Sequence, residues 1–145
     1  MAVRIRLRMR SRLSGEAVET NGLVSTGFET ETRQLLIPLP LARQLGLYPP
    51  PPDASLVEFG TAGGPVRNYV IRDALEVSVL AGDREVGPVA CDAVISGLEE
   101  EVLVNDKLGE ALGLVLLALG SGKWRFADDP PEMVRSSEPP SYWPP

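Results

Sequence analysis

The chain has 145 residues, a formal net charge of −6, 43% hydrophobic residues and 23% charged residues, which is typical of one soluble globular domain. It contains no histidine and a single cysteine, Cys91, which excludes Ser-His and Cys-His catalytic pairs, histidine-containing zinc sites and an intrachain disulfide. No apolar run approaches the roughly 20 residues that span a bilayer, and no apolar segment follows the basic start. We therefore expect no signal peptide, no membrane partner and a cytoplasmic location.

Arginine occupies every second position from Arg4 to Arg12, and apolar residues lie between, at Val3, Ile5, Leu7 and Met9. This period of two predicts a β-strand with one apolar face and one arginine face. The arginine face is either a nucleic-acid stripe or a solvated face paired with acidic residues elsewhere in the chain. The net negative charge favours the second interpretation and argues against nucleic-acid binding.

A returning strand is expected over residues 16–24, after a turn at Ser14-Gly15. Residues 35–37 predict a short buried strand, and residues 41–45 predict a short helix that Gly46 closes. The prolines at 49–52 predict an extended connector to a hairpin with a glycine-rich tip at residues 60–64. Further strands are predicted near 66–71, 75–79 and 86–95.

Residues 102–104 predict another strand, followed by a helix through Leu112 and a strand from Leu114. The predicted compact part ends at residues 123–126. Residues 128–145 contain six prolines and little periodicity, so we interpret them as a C-terminal tail with Tyr142 and Trp143 as candidate anchors. The segments LARQLGL at 41–47 and LGEALGL at 108–114 repeat one pattern, which predicts a lobe built from two similar halves.

The order of these features resembles the retropepsin-like (clan AA) single-lobe aspartic proteases. In that family an apolar pair precedes Asp-Thr/Ser-Gly, a strand and a Leu-Gly-Leu helix follow, and then come a glycine-tipped flap, a long hairpin and a second motif of the type Ile-Leu-Gly-x-Asp-x-Leu. The corresponding segments here are Leu23-Val24-Ser25-Thr26-Gly27, residues 35–47, the flap Thr61-Ala62-Gly63-Gly64, and residues 102–114. The resemblance covers roughly residues 3–127.

The resemblance implies a mainly β, closed-barrel acid-protease lobe with one or two short helices over residues 1–127, and residues 128–145 as a proline-rich tail. It also implies a homodimer that binds a peptide or an unfolded protein segment at its two-fold axis, without cofactor or metal. In the family each chain supplies one aspartate, the threonine interlocks across the axis, and the glycine permits a tight loop, so Thr26 and Gly27 are expected in those roles. In the second motif, Val104 stands where glycine is usual, and Asp106 matches a structural aspartate.

Ser25 stands at the position of the catalytic aspartate. The family's chemistry needs two adjacent carboxylates that share a proton and activate a water molecule, and a serine hydroxyl does not replace one of them. The resemblance therefore implies a chain that is inactive as written, through natural loss or through an engineered mutation.

Three alternatives stay open at this stage. In the first, Ser25 acts as a nucleophile, which requires Lys107 or Lys123 as its base. In the second, another acid takes the place of the missing catalytic aspartate, and the candidates near the motifs are Glu29, Glu31 and Asp106. Residues 36–47 also resemble the Ile-Pro and Leu-Gly-Leu signature of swapped-hairpin transcription regulators, which are DNA-binding dimers. The absence of histidine, the single cysteine and the loop prolines are compatible with a thermophilic source.

Overall fold

The computed structural model describes residues 2–144, so Met1 and Pro145, the outermost residues of the predicted domain and of the predicted tail, lie outside the described residues. The chain is mainly β, with two short helices. The strands are β1 (Arg4–Ser11), β2 (Ala17–Val24), β3 (Gln34–Pro38), β4 (Ser55–Thr61), β5 (Gly64–Leu80), β6 (Glu85–Ser96), β7 (Val102–Val104), β8 (Leu114–Ala118), β9 (Lys123–Phe126) and β10 (Arg135–Ser136). The helices are α1 (Leu39–Gln44) and α2 (Asp106–Ala111).

Six strands form a closed barrel in the order β1-β2-β7-β3-β6-β5, and pairing of β5 with β1 closes it. The side chains of Ile5, Leu7 and Met9 alternate along β1 and are fully buried in the core, as the period-two pattern predicts. The predicted mainly β architecture with a closed barrel and two short helices is confirmed. Neither helix, within residues 2–144, has the length and apolar character needed to cross a bilayer.

Three of the four arginines of β1 form ion pairs with acidic residues from neighbouring segments, as the second of the two interpretations predicts. Arg4 binds Glu101, Arg8 contacts both Glu19 and Glu85, and Arg10 contacts Glu76. Arg6 donates instead to Oδ1 of Asn21 at 3.4 Å. That the chain binds no nucleic acid stays a prediction.

The two similar halves predicted from the repeated pattern are present as two strand-helix units. α1 follows β3 directly and α2 follows β7, and each helix has six residues. Each unit ends on a glycine with positive φ, +71° at Gly46 and +75° at Gly113, where a side chain would be strained. Helix α1 begins at Leu39, two residues before the predicted start.

The hairpin formed by β4 and β5 projects from the barrel. β4 pairs only with β5, with Thr61 opposite Gly64, so the turn is Ala62-Gly63 and the other edge of β4 is free within residues 2–144. The two predicted strands near 66–71 and 75–79 are one long strand, β5, whose pairing with β6 shifts between Ile71 and Leu75. The shift separates the residues of β5 that pair with β4 from those that pair with β1, while Tyr69 to Ile71 already pair with β6.

The C-terminal segment lies against the barrel. β10 pairs with β9, and β9 pairs with β8 in a small second sheet. Beyond β10, Trp143 packs on the core and its indole N–H donates to Oγ1 of Thr20 at 3.2 Å. Tyr142 is 61% exposed, so of the two candidate anchors Trp143 makes the closer contact with the barrel.

Candidate functional site

The loop that begins at Ser25 is held by the backbone of β7. The amide of Ser25 donates to the carbonyl oxygen of Val104 at 2.9 Å, and the amide of Phe28 donates to the carbonyl oxygen of Ser25 at 3.3 Å. The amide of Asp106 in turn donates to the carbonyl oxygen of Phe28 at 3.1 Å. Both ends of the turn 25–28 are therefore fixed to the segment that joins β7 to α2.

Val104 lies beneath this loop and is fully buried. It pairs with Val24 in the parallel β2–β7 ladder and with Leu35 in the antiparallel β3–β7 ladder. Its side chain belongs to the barrel core rather than to the surface near Ser25. The valine at the predicted glycine position is therefore accommodated inside the barrel, and it leaves the loop surface open.

Asn105 is the residue that organises this region, and the sequence analysis did not single it out. It is fully buried, and its Oδ1 accepts from the amides of Gln34 at 3.0 Å and Leu108 at 2.9 Å. Its Nδ2 donates to Oγ1 of Thr30 at 2.8 Å and to the carbonyl oxygen of Thr32 at 2.9 Å. An asparagine directly before a predicted helix is the usual sign of an N-cap, so the position was detectable in the sequence.

Asp106, the predicted structural residue of the second motif, is exposed at the start of α2. Its Oδ1 accepts from the amide of Lys107 at 2.8 Å. Its backbone amide supports the Ser25 loop through Phe28, as described above. The buried polar contacts in this region are made by Asn105, one residue earlier.

A cavity of about 270 Å³, here called the cleft, lies between the Ser25 loop and the β4–β5 hairpin. Ser25 and Gly27 line one side, and Thr61 and Ala62 of the predicted flap line the other. The apolar side chains that line it are Phe28, Leu36, Phe59, Val66, Leu98 and Leu103. The rings of Phe28 and Phe59 meet edge to face with centroids 6.3 Å apart, so the loop and the hairpin are in contact across the cleft.

A second depression, here called the interface groove, lies on the other side of the Ser25 loop and has a volume of about 420 Å³. It is lined by the exposed Thr26, by Asp106, and by Leu114, Val115 and Leu116 of β8. β8 pairs with β9 along one edge only, within the described part of the chain. The groove therefore joins an apolar surface and a free strand edge to the Ser25 loop.

The predicted site residues thus lie in four places. Ser25, Gly27, Thr61 and Ala62 line the cleft, and Ser25 also lines the interface groove together with Thr26 and Asp106. Val104 is buried in the core. Gly63 and Gly64 lie at the exposed tip and start of the hairpin, outside the residues that line the cleft.

Ser25 lines both the cleft and the interface groove, and the groove also holds the carboxylates of Asp106 and Glu110 on α2. The groups that line the cleft are mostly apolar. The carboxylate among them is Glu99, on an exposed loop, and no lysine lines the cleft or the interface groove. Lys107 lines a separate surface cavity, and Lys123 donates to Ser136. Within residues 2–144 no cluster of three or more cysteine, aspartate or glutamate side chains is suited to hold a metal ion.

No family model and no curated protein matches this chain.

Proposed function

We propose that this chain is a retropepsin-like homodimer that binds an extended peptide or unfolded protein segment in the cleft, and that Ser25 leaves it without peptidase activity. The observation that carries the proposal is that Ser25 and the β4–β5 hairpin line the same apolar cavity. The two segments are more than 30 residues apart in sequence, and the resemblance had assigned them to the active-site loop and the flap.

The cleft has the features that recognise an extended chain. Its apolar lining offers burial to side chains, and the free edge of β4 offers backbone donors and acceptors to an added strand. The outer part of the hairpin, residues 57–68, pairs only within itself, so it can move relative to the Ser25 loop without breaking a barrel strand pair. A peptide that entered beneath the hairpin would pack against the contacting rings of Phe28 and Phe59.

The absence of a carboxylate at Ser25 supports a binding role rather than hydrolysis. A serine hydroxyl needs a neighbouring base to act as a nucleophile, and no lysine lines the cleft or the interface groove. The carboxylates that line these two surfaces are those of Glu99, Asp106 and Glu110. The proposal also extends to the dimer. The interface groove, with Thr26 at its rim and the free edge of β8, supplies an apolar surface next to the Ser25 loop on which a second copy would bring the two loops together.

Peptide binding can be tested with a reduced and carboxymethylated protein, which stays unfolded, added to the isotopically labelled chain. We expect amide resonances of residues 25–28 and 59–66 to shift in a saturable manner. Phe59→Ala should weaken this binding, because it removes an apolar wall of the cleft. Leu13→Ala is the matched control, since Leu13 is 59% exposed and lies in the β1–β2 turn. Shifts spread evenly over the barrel would overturn the proposal.

The dimer can be tested separately by sedimentation. Thr26→Lys should raise the dimer dissociation constant at least about tenfold, because it would bury an unpaired charge between two copies. Leu13→Lys is the control and should leave the dimer unchanged. A wild-type chain that stays monomeric at millimolar concentration would contradict this part of the proposal.

A further inference from the structure

We infer that Trp143 is a positioning residue for the cleft, because it holds in place the wall that Leu98 and Glu99 present to a bound segment. The inference rests on the proposed function for the bound segment and on separate contacts for the wall. Leu98 and Glu99 line the cleft, and Trp143 lies outside that lining. Trp143 would therefore act on a bound segment only through this wall.

The wall belongs to the loop that joins β6 to β7, here called the β6–β7 loop. At the start of the loop, the buried hydroxyl of Ser96 accepts from the amides of Leu98 at 3.2 Å and Glu99 at 3.0 Å. Near its end, the carbonyl oxygen of Glu100 accepts from the backbone amide of Trp143 at 2.7 Å. Leu98 is 77% exposed, so hydrogen bonds rather than packing hold this loop. One of its two fixed points is supplied by the C-terminal segment.

The ring of Trp143 fixes the position of its own backbone amide. The ring packs on the core, and its indole N–H donates to Oγ1 of the buried Thr20 on β2. The preceding residues are tied to the same strand, since Nδ2 of Asn21 donates to the carbonyl oxygen of Pro139 at 2.9 Å. β2 lies between β1 and β7 in the barrel. The amide that reaches Glu100 is therefore carried by a segment anchored on a central barrel strand.

The C-terminal segment also supports the β6–β7 loop through Arg4. Glu101, the last residue of the loop, binds the guanidinium group of Arg4. The backbone amide of Arg4 donates to Oγ of Ser137 at 2.8 Å, and its carbonyl oxygen accepts from the amide of Glu138 at 2.9 Å. Two successive residues of the loop, Glu100 and Glu101, are thus fixed by the C-terminal segment, one directly and one through Arg4.

A wall that is held in place before binding reduces the entropy cost of binding. Without the ring of Trp143 the β6–β7 loop would sample more positions, and a bound segment would have to order it. Such coupling is reciprocal, so a segment that binds against Leu98 and Glu99 should in turn stabilise the contact of Trp143 with Glu100. A role of Trp143 in stability alone gives no such response when the cleft is filled.

The test is a titration of the labelled full-length chain with the carboxymethylated protein, at a temperature where circular dichroism shows every variant to be folded. Trp143→Ala should weaken binding at least about fivefold, whereas Trp143→Phe, which keeps a ring on the core, should stay within about twofold of wild type. Tyr142→Ala is the matched control, since Tyr142 is 61% exposed, and it should bind like wild type.

The reciprocal effect is measured on the wild-type chain. Saturation with the carboxymethylated protein should slow hydrogen exchange of the Trp143 amide and shift the Trp143 indole resonance. The indole resonance of Trp124, which is buried against Phe126, is the internal reference and should not move.

Wild-type affinity in a folded Trp143→Ala chain, or an unchanged Trp143 amide and indole at saturation, would overturn the inference. If the wild-type chain does not bind the carboxymethylated protein, the proposed function fails, and the free chain then decides the inference. In the free chain Trp143→Ala should lower the backbone order parameters of Leu98 and Glu99, and Tyr142→Ala should not. Lowered order parameters would support the positioning role of Trp143 without the proposed function, and unchanged ones would overturn it.

Discussion

Oδ1 of Asn105 accepts a hydrogen bond from the backbone amide of Gln34 at 3.0 Å, across 71 positions of sequence. The same oxygen caps α2 by accepting from the backbone amide of Leu108. The side-chain Nδ2 of Asn105 donates to Thr30 and Thr32 and so fixes the 30–32 segment. One buried side chain thus joins the second strand-helix unit to the loop that follows Ser25. The cleft is lined by Gly27 and Phe28 of that loop.

Asn105→Ala should destabilise the fold by about 2–4 kcal/mol, because it leaves several buried backbone and side-chain groups without partners. Urea unfolding followed by circular dichroism measures the change. Lys107→Ala, at an exposed position of α2, is the matched control and should stay within about 0.5 kcal/mol of wild type. A loss below about 1 kcal/mol in Asn105→Ala would contradict the organising role given to this residue.

Trp143→Ala should destabilise the chain by about 1–2 kcal/mol, since Trp143 is partly buried and joins the C-terminal segment to the barrel. Its backbone amide donates to the carbonyl oxygen of Glu100 at 2.7 Å, next to Leu98 and Glu99 of the cleft. Hydrogen exchange should therefore become faster at residues 98–101 in this variant. Tyr142→Ala should leave both the exchange and the stability near wild type, and an equal effect of the two variants would be inconsistent with this anchor.

Asp129 gives the fold a defined response to acid. Its hydrogen bonds from Arg135 hold the pKa of Asp129 well below its usual range, with further help from the amide of Phe126 and from Arg84. The pKa is lower in the folded chain than in the unfolded chain, where an aspartate titrates near about 3.9. The stabilisation that the Asp129 ion pairs give the folded chain is therefore complete above the unfolded-state pKa of Asp129. It is lost progressively as the pH falls below that pKa.

Asp129→Asn should accordingly be less stable than wild type at pH 7 and should lose less stability between about pH 5 and pH 2. Thermal unfolding at several pH values in this range measures both effects. Asp53→Asn, at an exposed position in the proline-rich connector, should keep the wild-type pH dependence. If the melting temperature of Asp129→Asn fell as steeply with pH as that of wild type down to about pH 2, the ion-pair network would not be the source of acid sensitivity.

Cys91 should be inert in the folded chain. Burial, with a further contribution from the neighbouring Asp92, raises the pKa of the Cys91 thiol to about 12. At pH 8 a disulfide reagent such as Ellman's reagent should react at least about a hundredfold more slowly with the native chain than with the urea-unfolded chain. Rapid reaction of the native chain would indicate that the segment around β6 opens easily.

The parts of the fold that could be predicted are those with a local pattern. The alternation along β1 fixes its buried face, and the two Leu-Gly-Leu segments mark the ends of α1 and α2. Ser25 and the hairpin were brought together only through the resemblance, because no local pattern relates residues 25–27 to residues 61–64. Their common cavity is consistent with that resemblance.

The parts that could not be predicted depend on long-range contacts. The pairing of β1 with β5 joins segments about 70 residues apart, and nothing in either segment specifies the partner. The C-terminal segment lacks periodicity, and its course is fixed by contacts such as those of Arg135 with Asp83 and Asp129.

The most direct test of the central claim is to restore a carboxylate at residue 25 and measure cleavage of an unfolded protein between about pH 3 and pH 7, where carboxylate pairs titrate. Ser25→Asp should cleave at least about 10²-fold faster than wild type, which should show no activity above background. Ser25→Asn, similar in shape but without the charge, should also be inactive. Equal cleavage by wild type and Ser25→Asp, or no cleavage by a folded and dimeric Ser25→Asp chain, would contradict it.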